Sequence, residues 1–166
     1  KINKKINGQL SLSADKIYSK YNLIKSFESR IKFTNGNISV EQFLFNLGKL
    51  GAADLLGIIK NDNKFTNFKF ENNIFIDNQK YFFSKFGIYN KKNISSNLFI
   101  SGNVDLVNLN MHFYEISQSE NQKFTQEDVN YVEKEFNDLL FEDGYASFFN
   151  FLKLKEYIKS MMAETN

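Results

Sequence analysis

Few residues of this chain have the types and spacing that catalysis or metal binding requires. The sequence has one histidine, His112, and no cysteine, so the His and Cys ligands of a zinc site are missing. No clustered Asp loop of the calcium-binding kind is present either. The carboxylates of Asp54, Glu71, Asp77 and Asp105 offer pairs for glycoside hydrolysis, but any chain with 19 acidic residues offers such pairs. No nucleophile elbow, phosphate-binding loop or dinucleotide motif occurs. We therefore expect no enzyme, no metal site and no cofactor, and interpret His112 as an ordinary strand residue.

Charge is divided unevenly along the chain. Residues 1–114 carry 16 basic and 8 acidic side chains, a balance of +8, whereas residues 115–166 carry 5 basic and 11 acidic, a balance of −6. Two interpretations stay open: mutual attraction between two parts of one domain, or a basic surface for anionic lipid headgroups. Arg30 is the only arginine. Because phosphate recognition in nucleic acids favours arginine clusters, we expect no nucleic-acid partner.

Two-residue alternation of apolar and polar side chains dominates the chain up to about residue 116 and predicts strands. Asn35-Gly36 has the composition of a two-residue hairpin turn. The other connections are too short for parallel crossovers, so we expect an antiparallel meander. The apolar phase changes at Leu106-Val107, which predicts a β-bulge or bend, and the long segments predict a curled sheet. The predicted strands are residues 6–14, 22–34, 37–47, 52–60, 64–77, 80–90 and 94–116.

Helical spacing replaces the alternation after residue 117. Thr125 and Asp128 resemble a capping box at the start of one helix, and Gly144 is a predicted stop or kink. A second helix is expected from Tyr145 to about Met162, with apolar residues almost all round, so it must pack against something. The side chains expected to be buried against the sheet are Phe136, Leu140, Phe148, Leu152 and Ile158.

The predicted fold class is therefore mainly β: a curled antiparallel meander of about six to eight strands with two C-terminal α-helices packed on it. We expect one domain of residues 1–166, with the sheet in residues 1–117 and a helical segment in residues 118–166. No apolar run approaches the roughly 20 residues of a membrane span.

The aromatic and aliphatic face of the sheet is the positive functional signal. One interpretation is a candidate apolar groove for acyl chains, with Lys64, Lys69 or Lys85 near its rim to meet headgroup phosphates. The competing interpretation is that the same side chains fill the core beneath the helices. A third hypothesis is a carbohydrate-binding surface with stacking platforms at Tyr81, Phe82, Phe83 and Tyr89. The residues of the candidate groove are Phe43, Phe45, Phe68, Phe70, Ile74 and Ile76.

Four motifs together resemble the repeat of the AsmA-like proteins of Gram-negative envelopes. They are Gly-x-Leu-x-Leu-x-Ala-Asp at residues 8–15, Asn-Ile-Ser-Val-Glu-x-Phe-x-Phe-x-Leu-Gly at residues 37–48, Gly-Ala-Ala-Asp-Leu-Leu-Gly at residues 51–57 and Ser-Gly-Asn-Val-Asp-Leu at residues 101–106. The resemblance covers about residues 6–116.

The resemblance implies a non-enzymatic segment of a larger protein on the periplasmic side of the inner membrane of a Gram-negative bacterium, with the membrane anchor outside this fragment. Such a segment would handle phospholipid, or support outer-membrane biogenesis, through an apolar β-groove. The alternative is a purely structural interaction module that docks its apolar face on a partner or on the rest of its parent chain.

Overall fold

Eight strands and three helices make up the described part of the chain. A computed structural model describes residues 3–18, 23–60, 67–89, 91, 95–119, 122–141 and 150–164. The strands are β1 (Gly8–Ala14), β2 (Ser26–Thr34), β3 (Asn37–Asn46), β4 (Gly51–Ile59), β5 (Asn67–Ile76), β6 (Ser96–Asp105), β7 (Asn110–Ser119) and the two-residue β8 (Gln122–Lys123). The helices are α1 (Gln79–Ser84), α2 (Gln126–Leu140) and α3 (Phe151–Glu164), and a single 3-10 turn (Gly48–Leu50) precedes β4.

The strands form one open antiparallel sheet in sequence order, from β1 at one edge to β8 at the other. Asn35 and Gly36 have φ angles of 51° and 82° and join β2 to β3, as a type I′ hairpin turn requires. The predicted meander and its tight turn are confirmed. The Gly-Ala-Ala segment that begins β4 is a strand, again as expected.

Residues 80–90, predicted as a strand, instead contain a short helix. The Asn78 side chain accepts a hydrogen bond from the Tyr81 backbone N–H at 3.0 Å and so caps the first turn of α1. Phe82 and Phe86 are four residues apart, and their ring centroids lie 5.3 Å from each other. The alternating pattern predicted a strand, but the Asn78 cap and the contact between Phe82 and Phe86 favour a short helix instead.

The segment 94–116, predicted as one bent strand, is a hairpin of β6 and β7. The Asp105 carboxylate accepts hydrogen bonds from the backbone N–H groups of Val107 and Asn108, at 2.9 and 3.1 Å. This Asx-type turn reverses the chain between Asp105 and Asn110. The phase change at Leu106-Val107 therefore marks a complete reversal rather than a bulge.

Bulges occur at positions other than Leu106-Val107, in β3 and in β7. The pairing of β2 with β3 skips Glu41, and the pairing of β6 with β7 skips Tyr114. Each extra residue shifts the alternation by one position. As a result Val40 and Phe43 share a face of the sheet.

The two C-terminal helices pack at the β7 side of the sheet. Thr125 and Asp128 form the predicted capping box at the start of α2. α2 contacts β7, and α3 packs mainly on α2. An edge-to-face series of rings runs from Phe113 on β7 through Phe136 on α2 to Tyr157 on α3, with centroid distances of 5.6 and 5.5 Å. Burial there raises the pKa of the Tyr157 phenol well above its ordinary value.

The side chains predicted to be buried by the helices divide into three groups. Phe136 and Ile158 pack against the core, as expected. Leu152 was wrongly predicted, because it is 61% exposed on the outer side of α3. Phe148, the Leu140 side chain and the predicted stop at Gly144 lie outside the described residues. None of the helices in the described ranges has the length and apolar character needed to span a membrane.

Candidate binding surface

One face of the sheet is apolar across seven strands, and we call it the inner face. Register defines it, because directly paired residues in an antiparallel sheet point to the same side. One row of pairs crosses six strands in order: Ala14, Phe27, Phe45, Ala53, Ile74 and Leu98. The bulges keep later residues in phase, so Phe113 and Ile116 of β7 also point inward.

Among the described residues, the helices cover only the β5–β7 half of this inner face. Phe70, Val104 and Phe113 are at most 9% exposed and belong to the main core. Helix side chains complete that core, and Leu55 of β4 packs against its margin. The buried members of the core are Phe70, Val104, Met111, Phe113, Ile116, Val129, Val132, Phe141 and Tyr157.

The β1–β3 half of the inner face has no helix over it among the described residues. We call it the open apolar surface: Leu10, Leu12, Phe27, Ile31, Phe33, Ile38, Val40, Phe43 and Phe45. Leu10 and Leu12 are 43% and 49% exposed, and the other members are half-buried. The ring of Phe43 lies 5.8 Å from that of Phe27 and 4.4 Å from that of Phe45. These aromatic side chains therefore shield one another rather than being covered by another layer.

All six residues of the predicted groove point to the inner face, but they do not form one site. Phe70 is a core residue, and Phe68 packs against the same core. Ile76 is buried at the other end of β5, and Ile74 is half-buried. Phe43 and Phe45 belong to the open apolar surface. The core and groove interpretations thus apply to different members of the set. Leu10, Leu12, Phe27 and Ile31 were not among the predicted groove residues, although simple alternation in β1 and β2 would have identified them.

Two glycines make room for the phenylalanines of β5. A Cβ built on Gly57 would lie 2.4 Å from the Phe68 ring, and one built on Gly102 would lie 3.0 Å from the Phe70 ring. The two rings stack at 6.1 Å. Glycine at both positions therefore leaves room for these rings beside the neighbouring strands.

Lysines border one end of the open apolar surface. Lys16 follows β1, Lys25 precedes β2 and Lys49 follows β3, so the antiparallel topology brings all three to one end of the sheet. Each is exposed, and no carboxylate of the described residues lies within ion-pair distance of their ammonium groups. Of the lysines predicted for a rim, Lys69 instead lies on the opposite face, Lys85 is exposed after α1, and Lys64 lies outside the described residues.

Two cavities in the described part of the molecule lie away from the open apolar surface. One, of about 300 Å³, is on the opposite face and is lined by Ile58, Lys60, Asn67, Lys69, Asn103 and Tyr114. Another, of about 460 Å³, lies at α1 and is lined by Lys80, Tyr81, Ser84 and Tyr89. Tyr81 and Tyr89 are 55% and 72% exposed, so they are accessible for the stacking that the carbohydrate hypothesis requires.

The carboxylates considered for catalysis do not converge on a cavity. Asp105 holds the β6–β7 turn, and Asp77 follows β5 at the opposite end of the sheet. Asp54 and Glu71 are diagonal neighbours on the outer face, yet neither lines either cavity. Over the described ranges, no group of three or more His, Cys, Asp or Glu side chains is placed to hold a metal ion.

β8 pairs with only the end of β7, and side chains of α2 bind the outer side of the rest of β7, which we call the β7 edge. The Asn137 amide accepts a hydrogen bond from the Met111 N–H at 2.8 Å and donates one to the Met111 carbonyl at 2.9 Å, as a neighbouring strand would. Glu133 accepts from the Phe113 N–H at 2.9 Å. The same carboxylate lies 2.7 Å from His112 Nδ1, so His112 is a hydrogen-bonded strand residue.

The arrangement as a whole is a sheet with one covered and one open apolar half, a lysine-bordered end and one satisfied edge. The open half offers apolar contact, and the lysine-bordered end offers positive charge. Comparisons of this chain with protein-family models, with curated proteins and with solved structures give no match, so its sequence and geometry are the basis for any functional assignment.

Proposed function

We propose that this chain is a non-enzymatic lipid-handling domain that takes up the acyl chains of a phospholipid on its open apolar surface. The observation that carries the proposal is the partial cover: the inner face is apolar over seven strands, yet in the described part of the chain the helices bury only its β5–β7 half. Each methylene that moves from water to such a surface contributes about 0.8 kcal/mol.

The charge at the end of the sheet agrees with this ligand class. Lys16, Lys25 and Lys49 border the open apolar surface and place ammonium groups where a headgroup phosphate would lie if acyl chains ran along the strands. The resemblance to AsmA-like envelope proteins supports the same substrate class. A periplasmic location and a role in outer-membrane biogenesis belong to this proposal.

A second candidate function is docking on a partner or on the rest of a parent chain. Neither of the two cavities described above is lined by a residue of the open apolar surface. Because binding sites for small molecules are usually concave, this favours docking. Both functions use the same side chains, so the occupant decides between them.

The test is native mass spectrometry of the purified domain, followed by crosslinking to a photoactivatable phospholipid. We expect co-purified lipid and crosslinks on β1–β3. Phe43→Gln should abolish crosslinking, whereas Phe75→Gln, which changes an exposed residue on the opposite face, should not. Absence of both lipid and crosslink would contradict lipid handling and leave the docking function.

Vesicle binding tests the lysines separately. The double variant Lys25→Glu/Lys49→Glu should weaken binding to phosphatidylglycerol vesicles. The control variant is Lys60→Glu/Lys69→Glu. It makes the same charge change, but Lys69 lies on the opposite face of the sheet. Equal loss in both variants would mean that net charge, rather than the lysine-bordered end, attracts the membrane.

A further inference from the structure

The β1 edge of the sheet lacks every device that protects the β7 edge. β1 pairs with β2 over all seven residues without a bulge, and on its other side no described strand or helix lies against it. Natural edge strands are usually protected by charge, proline, a bulge or a covering element. The sequence Gly-Gln-Leu-Ser-Leu-Ser-Ala has no charge and no proline.

The backbone N–H and C=O groups on the outer side of β1 are therefore available to another strand. The flanking side chains are accessible too: Leu10 and Leu12 are 43% and 49% exposed. A Cβ built on Gly8 meets no heavy atom within 4 Å.

We propose that the occupant of this edge is a second copy of the chain, paired antiparallel through β1 about a twofold axis at Ser11. In this register Leu10 of each copy lies opposite Leu12 of the other, and Gln9 lies opposite Ser13. Leucines thus meet leucines on the inner face, and all seven residues of β1 are paired. No two like charges face each other, because β1 carries none.

Other registers are less suitable. A shift of one residue would put the leucines of one copy beside the polar side chains of the other, since alternation has a period of two. A shift of two pairs only one leucine of each copy with a leucine and leaves two residues of each strand unpaired. The contact is isologous and closes as a dimer, because it consumes the only β1 edge of each copy.

This proposal does not rest on lipid handling, because edge pairing uses backbone groups rather than the open apolar surface. Its consequence would be a continuous sheet in which the open apolar surfaces of two copies adjoin.

Cysteine crosslinking tests the register directly, since the chain contains no cysteine. In Ser11→Cys the two thiols would lie across the axis, where opposite Cα atoms are about 4.5–5.5 Å apart and within disulfide range. In Ser13→Cys they would be about 13 Å apart along the strands. We expect rapid oxidation of the first variant to a disulfide-linked dimer and little oxidation of the second.

Sedimentation velocity on the unmodified chain and on charge variants gives an independent measurement. The unmodified chain and Ser13→Lys should be dimers. Ser11→Lys and Ser11→Glu should each be monomers, and their mixture should restore a dimer. Circular dichroism verifies that each variant is folded. A monomeric unmodified chain, or equal crosslinking of Ser11→Cys and Ser13→Cys, would overturn the proposal.

Discussion

The covered and open halves of the inner face have the same strand pattern but different surroundings. Phe113 on β7 is 4% exposed beneath Phe136, whereas Phe43 on β3 is only half-buried, between Phe27 and Phe45. Both are phenylalanines that point to the same side of one sheet. The comparison shows that alternation identifies an apolar face but leaves open whether that face is core or binding surface.

The two edges of the sheet also differ, since one is satisfied and the other is open. At β7, Asn137 and Glu133 satisfy backbone groups that would otherwise lack partners. At β1 no described element does so. The covered half and the satisfied edge have one cause, since α2 provides both. Among the described residues, the half of the sheet that α2 does not contact therefore has an open face and an open edge together.

Truncation of matched phenylalanines should separate the two halves most clearly. Phe113→Ala should lower the free energy of unfolding by about 3–5 kcal/mol, because it leaves a cavity in a packed core. Phe43→Ala should cost about 1–2 kcal/mol, since less apolar area is lost from a half-buried side chain. Urea denaturation of both variants measures the difference. Equal costs would mean that the open apolar surface is covered in solution.

The satisfied edge should show a smaller effect. Asn137→Ala removes both hydrogen bonds to Met111 and should cost about 1–3 kcal/mol, because a backbone donor and acceptor lose their partners. Asn130→Ala is the matched control, since the Asn130 side chain on the same helix is exposed and bonds only to Gln126 among the described residues. Hydrogen exchange at Met111 should accelerate in the first variant alone. Unchanged exchange there would contradict the strand-like role of Asn137.

The smallest effect is expected on the outer side of α3. Leu152→Ala should change the free energy of unfolding by less than about 0.5 kcal/mol, because Leu152 is 61% exposed. Ile158 on the same helix packs against the core, so Ile158→Ala should lower the free energy of unfolding by more. A loss of 2 kcal/mol or more (the usual range for a buried leucine, about 2–5 kcal/mol) in Leu152→Ala would mean that something covers this side of α3 in solution.

Some features of the fold follow from local sequence alone. The Asn35-Gly36 turn, the alternation of β1–β5 and the Thr125–Asp128 capping box are each determined by a few neighbouring residues, and all were predictable. The errors have local causes too. Asn78 and Asp105 each use a side-chain oxygen to bind backbone N–H groups, and these bonds change a strand into a helix start and a long strand into a hairpin. A hydropathy pattern contains no information on such bonds.

The sequence by itself determined an antiparallel meander with one apolar face and two C-terminal helical segments, because periodicity and turn chemistry act over a few residues. Only the tertiary structure decided where the helices lie, and therefore that Phe70 is core while Phe43 and Phe45 remain on an open surface. The physical reason is that helix placement depends on contacts between residues distant in sequence, such as Phe113 with Phe136 and Met111 with Asn137. The strands on either side of that boundary have the same alternation of apolar and polar residues.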